Sequence, residues 1–268
     1  MEKQLSIIIV NYNGLKYLKN CIDSIILKTN GLSYEIIILD NNSIDESCAF
    51  IKSHYPKVQL IESKVNYGFG KGNNEAFKLA TGDSILLLNN DTILRDDLLP
   101  IVNYLKKDPT IGAIGIKMLD GNKQFLPASG DFPTINNMFW MKNIQKKSKK
   151  LANSKTLQEV DWLTGSFLLM PKNVFAEIDG FDEDYFLYVE DVDLCKRVAD
   201  KKYKRIFLPQ YQYTHFVGFS TLKNPLLVKG YELYISKHFK GAHKVLISFA
   251  LSINKFVKNI KLFFRTTK

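Results

Sequence analysis

The sequence predicts an α/β fold on a parallel, doubly wound sheet, and three observations point there. The runs LSIIIVN, YEIIILD and SILLLNN are apolar without alternation, as strands buried on both faces are. Segments with apolar residues at helical spacing separate them. Each run ends in asparagine and aspartate (NYN, DNNS, NND), and ligands of open α/β sheets sit at the carboxyl ends of the strands. The three polar ends are therefore expected to line one crevice.

In chain order, a strand at 5–13 leads into a helix over 15–28, and a strand at 34–40 into a short capped helix over 43–53. A strand at 58–63 precedes a helix over 70–80. A strand at 84–91 precedes an acidic-to-basic helix over 96–107. Residues 112–119 read as a strand and 121–160 as loop, with Gly, Pro, Asn and a lysine run. Strand character returns at 160–171 before a helix over 172–178. A loop and helix then lead to a short strand at 204–209. No repeat and no clear linker precede about residue 240.

A 268-residue chain that is 46% hydrophobic can bury a full core. Three scattered cysteines, Cys21, Cys48 and Cys195, argue against a disulfide framework and for a reducing compartment. The start of the chain does not read as a signal peptide, so a cytoplasmic location is expected. The net charge of +10 is local: 141–158 and 237–268 hold fourteen Lys/Arg and no acid, which leaves the rest net acidic. A nucleic-acid-binding face would draw on the folded body, so no nucleic-acid partner is expected.

Taken in order, SIIIVNYNG, LDNNSID, NYGFGKGNN, LLLNND, DWLTGSFLLM, GFDEDYF, VEDVDLCKR and HFVGFS resemble the motif series of family 2 glycosyltransferases. The resemblance covers about residues 5–221 and is greatest to rhamnosyltransferase-like enzymes. It implies the GT-A fold, a Rossmann-like, mainly parallel sheet flanked by helices, here with a C-terminal helical extension. The domain reading is a glycosyltransferase domain over 1–240, with a nucleotide-binding half to about 120 and an acceptor half after it, and a basic amphipathic helix over 241–268.

Each motif has its own chemistry. Asp40 and Asn41 leave a buried strand and offer acceptor and donor groups, a pairing suited to a nucleotide base. An Asx turn, with Ser43 capping the next helix, accounts for Ser43 and Asp45 but not for Asp40. NYGFGKGNN lacks the Ser/Thr of a P-loop and the spacing of a dinucleotide fingerprint. It reads as a glycine loop whose helix start faces an anion, or as a plain turn before a helix. By the resemblance, Asn11, Asn13, Asp40, Asn41, Asn66, Gly68, Gly72, Asn73, Asn90 and Asp91 are the nucleotide-binding set. Lys71 and Arg95 are weaker phosphate candidates.

Many relatives carry two aspartates where this chain has Asn89, Asn90 and Asp91. One carboxylate with phosphate oxygens and water still suits a hard cation. The resemblance assigns Asp91 and His215 to a divalent ion, Mn²⁺ or Mg²⁺, and Gly218 and Ser220 to a loop closing over the diphosphate. Trp162 and Gly165 are acceptor or sugar candidates, with a core role equally open for the tryptophan.

In VEDVDLCKR, Asp193 and Arg197 are spaced for a surface ion pair. Glu190 and Asp191 have no partner in sequence, and complementing a helix dipole, worth about 0.3–1 kcal/mol, needs only one acid. The resemblance makes Asp191 the base that takes a proton from the acceptor, with Glu190 positioning it. The implied reaction is inverting transfer of a sugar from a nucleotide diphosphate, with rhamnose and a dTDP or UDP donor first, to a saccharide or lipid-linked hydroxyl. The alternative is a non-catalytic nucleotide- or glycan-binding protein on the same fold.

The tail over 245–264 is interrupted by lysines and reads as no membrane span. At 100° per residue, Leu246, Phe249, Ile253, Phe256, Val257, Ile260 and Phe264 share one face. Lys244, Asn254, Lys258, Lys261 and Arg265 share the other. A basic amphipathic helix of this kind is expected on an anionic membrane, at the inner face of the plasma membrane. A packed helix or a dimer contact is the competing reading.

Overall fold

The computed structural model describes residues 3–141, 144–151, 154, 156–216 and 223–266. The first half alternates as the pattern requires: β1 (Leu5–Asn11), α1 (Leu15–Lys28), β2 (Tyr34–Asp40), α2 (Ser47–His54), β3 (Gln59–Glu62), α3 (Phe69–Phe77) and β4 (Ser84–Asn89). These four strands pair in parallel, with β1 between β2 and β4. Ile7, Ile8, Ile9, Ile37 and Leu87 are fully buried, which is why the runs show no alternation.

The remaining strands make the sheet mixed. After β4 come β5 (Thr92–Leu94), α4 (Leu99–Lys107) and β6 (Ile111–Leu119). Residues 121–160 are not all loop: they hold β7 (Phe125–Leu126), β8 (Ser129–Gly130), α5 (Ile135–Phe139), α6 (Lys146–Leu151) and β9 (Gln158–Glu159). The expected strand at 160–171 is two pieces, β10 (Trp162–Leu163) and β11 (Phe167–Pro171), followed by α7 (Lys172–Glu177). Then come α8 (Glu190–Asp200), β12 (Lys204–His215), α9 (Lys223–His238) and α10 (Gly241–Thr266).

The large sheet runs β3-β2-β1-β4-β11-β6-β12-β5, with β11 antiparallel to both neighbours. The sequence expectation of a parallel sheet therefore holds for its first four strands and for the β6–β12 pair, and fails at β11. β12 also continues to His215 rather than stopping at Pro209. A register shift between Leu208 and Gln212 takes up the proline, which cannot donate to a ladder.

The C-terminal helix is part of the body. Ile247, Ala250 and Leu251 of α10 are buried, and Asn254 Nδ2 donates to the Phe139 carbonyl at 2.6 Å. The face expected to be polar and solvated thus turns inward at Asn254 and Lys258. Leu246, Phe249, Ile253 and Phe256 are exposed together with Val245. Among the described residues, no helix is long and apolar enough to cross a membrane.

α9 lies directly on the turn that starts α8. A Cβ added at Gly230 would sit 2.6 Å from the Tyr188 carbonyl oxygen and 2.8 Å from Val189 Cγ2. Gly230→Ala is expected to cost about 1–3 kcal/mol in urea unfolding, because backbone has to move. An unchanged unfolding midpoint would show that α9 is free to shift off the turn.

Candidate active site

A cavity of about 630 Å³ opens at the carboxyl end of the sheet. It brings together Asp91, His215, Glu190, Asp191, Trp162 and Gly165, and so joins the expected metal, base and acceptor residues. The asparagines and glycines of the expected nucleotide set lie outside its lining.

Asp91 stands in the turn between β4 and β5. β5 pairs with the end of β12, with His215 opposite Thr92, and the Phe216 amide donates to the Asp91 carbonyl. This pairing sets His215 Nε2 3.0 Å from Asp91 Oδ1, with the two side chains 12% and 15% exposed. Asn89 Nδ2 lies 3.2 Å from the same nitrogen, and Asn89 Oδ1 is buried with no hydrogen-bonding partner among the described residues. A carboxylate oxygen, an imidazole nitrogen and an orphaned amide oxygen form a donor set that suits Mn²⁺ or Mg²⁺ sharing phosphate oxygens and water. Among the described residues, no group of three or more His, Cys, Asp or Glu converges as a closed metal site.

Across the cavity, Tyr188 and Val189 take φ values of 71° and 76° and turn the chain sharply into α8. Asp191 Oδ2 accepts from the Gly165 amide at 3.1 Å, and Oδ1 accepts from the Val192 amide at 2.8 Å. Gly165 thus aims the carboxylate through its backbone, and a Cβ there would stand 2.9 Å from the Phe69 ring. Burial pushes the Asp191 carboxyl above its ordinary 3.8, and the two amides hold back part of the rise. Burial first, and then the charge of Asp191, pushes Glu190 well above 4.5.

Glu190 is buried and Asp191 partly so, and two such adjacent carboxyls do not ionise independently. Asp191 has two amide donors and keeps the charge. Glu190 Oε2 has no partner among the described residues, so Glu190 keeps the proton.

Asp193 corrects the expectation of a surface ion pair. It is 1% exposed, and Arg197 Nε meets it at 2.8 Å and His238 Nε2 at 2.6 Å. Arg197 also caps the carbonyls of Ile178 and Gly180. Neither the burial nor the histidine from α9 was visible in the spacing.

The strand ends do converge, but largely as scaffold. Asn11 Nδ2 donates to Asp40 Oδ2 at 2.7 Å, and Asn90 Nδ2 donates to Asn11 Oδ1 at 2.7 Å, which ties β2, β1 and β4 together. Asp40 is 2% exposed, and its Oδ1 closes the Asx turn from the Ser43 amide at 2.8 Å. The turn therefore does account for Asp40, and Asp45 rather than Ser43 receives the first amide of α2.

Asn41 Nδ2 straps the Gly68 carbonyl, and Asn73 Nδ2 the Phe69 carbonyl. Gly68 has φ 79°, and a Cβ there would meet the Phe186 oxygen at 2.3 Å; Gly72 packs closely on Val10. These glycines serve close approach. Lys71 pairs with Glu183 at 2.9 Å, and Arg95 Nε donates to Thr214. Asn13, Asn66, Asn90 and Asp91 remain open at least in part.

Trp162 is 6% exposed, and its indole N–H donates to the Asp131 carbonyl. It is a core residue that also lines the cavity wall. Gly218 and Ser220 lie outside the described residues. Ser166, which shares the DWLTGSFLLM motif with Trp162 and Gly165, lines the cavity; sequence reading missed Tyr213, whose hydroxyl meets that of Ser166 at 2.6 Å, and the entry of Lys258 from α10.

The model of glycosyl transferase family 2 matches residues 6–178. The chain belongs to this family. Rhamnosyltransferase WbbL of Escherichia coli K12 is 31% identical over 226 residues, covering 78% of this chain and 82% of its own. An N-acetylglucosaminyl-diphospho-decaprenol L-rhamnosyltransferase of Mycobacterium tuberculosis is 25% identical, covering 84% of this chain and 80% of its own. Among solved structures, the mannosyltransferase PcManGT of Pyrobaculum calidifontis, in complex with GDP-Man and Mn²⁺, superposes with a TM-score of 0.64 at 16% identity. That match covers 95% of this chain and 74% of the other. The fold is GT-A, and this family 2 member is a glycosyltransferase.

The state of Glu190 has a measurable consequence for stability. A carboxyl whose folded pKa is raised destabilises the fold once pH exceeds its unfolded value, and the penalty disappears as pH falls below it. Glu190→Gln is therefore expected to raise Tm at neutral pH by about 2–4 °C per kcal/mol recovered. The gain should fade as pH approaches about 4. Melts of both proteins across that range check it, and a variant less stable at neutral pH would mean that the Glu190 carboxylate has a partner.

Proposed function

We propose that the enzyme is an inverting transferase that moves a sugar, rhamnose first, from a nucleoside diphosphate to a hydroxyl of a lipid-linked saccharide. The observation that carries this reading is the single cavity shared by an amide-aimed Asp191 and the Asp91–His215 pair. In-line attack of the acceptor oxygen on the anomeric carbon forms the new glycosidic bond. The bond to the diphosphate breaks with its electron pair, and the acceptor proton passes to Asp191. Protonated Glu190 keeps a second negative charge away from that base.

Asp91 and His215, with Asn89 beside them, are the residues to hold a divalent cation, which when bound would neutralise charge on the leaving diphosphate. For the nucleotide, the proposal retains the open Asn13, Asn66 and Asn90 as contacts. It gives Asn11, Asp40, Asn41, Gly68, Gly72 and Asn73 the task of holding the floor beneath it. The acceptor class is supported by the name of the mycobacterial relative, which specifies a sugar on diphospho-decaprenol. The exposed stripe of Val245, Leu246, Phe249, Ile253 and Phe256 on a helix rich in lysine supports peripheral contact with an anionic bilayer at the cytoplasmic face.

Asp191→Asn is expected to lower kcat about 10²–10⁴-fold with little change in donor KM. In the wild type, kcat should fall as pH drops through the raised Asp191 pKa, so the acid limb lies above the ordinary 3.8. An asparagine variant with normal turnover would remove Asp191 as the base.

Calorimetry with UDP, dTDP and GDP, each with and without Mn²⁺, is expected to show one of them binding in a metal-dependent way that Asp91→Ala weakens about tenfold or more. Equal binding by Asp91→Ala would place the cation elsewhere.

A further inference from the structure

The cavity holds a cation that the reaction above leaves unused. Lys258 lines it, and among the described lining residues it is the only lysine or arginine. It enters from α10, on a wall that includes Met141 and Ile144, whereas Asp91 and His215 come from the sheet. The contact that its ammonium makes is with Met141 Sδ at 3.7 Å, and among the described residues no carboxylate lies within ion-pair range of it. A thioether is a weak acceptor for an ammonium, which has three protons to place.

Other lysines of the chain find acids. Lys237 meets Asp182 and Asp184, Lys71 meets Glu183, and Lys255, one turn before Lys258, meets Glu232. Lys258 is also partly desolvated, which pulls its pKa below the ordinary 10.5. Burying an ammonium without a partner is costly, and a ligand anion would offset that cost.

Lys258 contacts Met141, and the cavity lining also includes the apolar side chains of Ile144, Leu227 and Trp162, which suit the carbon skeleton of an acceptor. The neighbouring faces of α10 agree with this. Ile247, Ala250 and Leu251 pack inward on the same side as Lys258, while the exposed stripe from Val245 to Phe256 lies on the opposite side. A single helix thus presents an apolar surface outward and one unpaired positive charge inward.

We propose that Lys258 is the residue that binds phosphate of the acceptor's lipid carrier, and so distinguishes a diphosphate-linked acceptor from a neutral glycan. This deepens the reading of the enzyme as a transferase to a lipid-linked acceptor, and it rests on that reading. The diphosphate of the donor is a separate group, expected at Asp91 and His215. A charge-assisted hydrogen bond of this kind is worth about 1.5–3 kcal/mol, or roughly ten- to a hundredfold in affinity.

The test is calorimetric binding of farnesyl diphosphate and of farnesol to the full-length chain, with the donor site filled by a saturating nucleoside diphosphate. Wild type, Lys258→Ala, Lys258→Gln and Lys258→Arg are compared, with thermal melts as a check on folding. The expected result is a loss of about tenfold or more for farnesyl diphosphate in both neutral variants. Lys258→Arg should stay within about threefold, because it keeps the charge. Farnesol should bind all four proteins alike.

Equal binding of farnesyl diphosphate by wild type and the neutral variants would overturn the proposal, and so would a parallel loss for farnesol. A shifted acid limb of kcat with diphosphate binding unchanged would also overturn it, and would make Lys258 a positioning residue for Asp191. Failure of the wild type to transfer sugar to any lipid diphosphate, with the binding contrast intact, would count against the proposed reaction and leave the phosphate site standing.

Discussion

Tyr188 and Val189 carry the constraint on which the site depends. Both have positive φ although neither is glycine, and a β-branched valine in that region is strained. Such residues cost of order 1–3 kcal/mol each and persist only where the surroundings determine them. Here the surroundings are specific. Gly230 of α9 lies against the turn, the Phe69 amide donates to the Phe186 carbonyl just before it, and the Asp193 amide returns to the Val189 carbonyl. Relaxing the turn would swing the start of α8, and with it Glu190 and Asp191, out of the cavity.

The acids of α8 then divide their work by environment. Asp193, two residues beyond Asp191, is held by Arg197 and His238 and locks α8 to α9. Asp191 retains a charge because two amides support it, while Glu190 gives up its charge because burial and its neighbour disfavour ionisation. One segment of helix therefore contains a structural acid, the proposed base and a neighbour that burial disfavours as a carboxylate. Burial raises the pKa of both Glu190 and Asp191, whereas that of Asp193 is lowered because the hydrogen bonds and charges of His238 and Arg197 outweigh its burial.

The opposite wall relies on pairing at long range in sequence. His215 reaches Asp91 because β12 runs past its proline, through a register shift, and pairs with β5. The asparagines at the ends of β1, β2 and β4 contribute differently. Their hydrogen bonds to one another and to Asp40 hold three strand ends level. α10 closes the assembly and carries Lys258 to the cavity while leaving apolar side chains outside.

The sequence by itself determined the parallel half of the sheet, the convergence of its polar ends and the order of motifs that places the chain in its family. Those features are local: continuous burial removes alternation from a strand, and a strand end is marked by its own residues. The antiparallel β11, the short β5 and the split of 160–171 were not legible, since strand direction and pairing depend on what lies beside a strand rather than within it. The same holds for the side chains. Asp193 and Arg197 were read as a surface pair because spacing reports proximity along a helix, not depth. The hydrogen bonds of Asp40 with Asn11 and of Asn41 with Gly68 were not legible because those partners lie far away in the chain. Lys258 was assigned to a solvated face because an amphipathic pattern gives relative orientation only. Which face of α10 turns inward was decided by packing against α5, where Ile247, Ala250 and Leu251 found a buried surface and carried the lysine in with them.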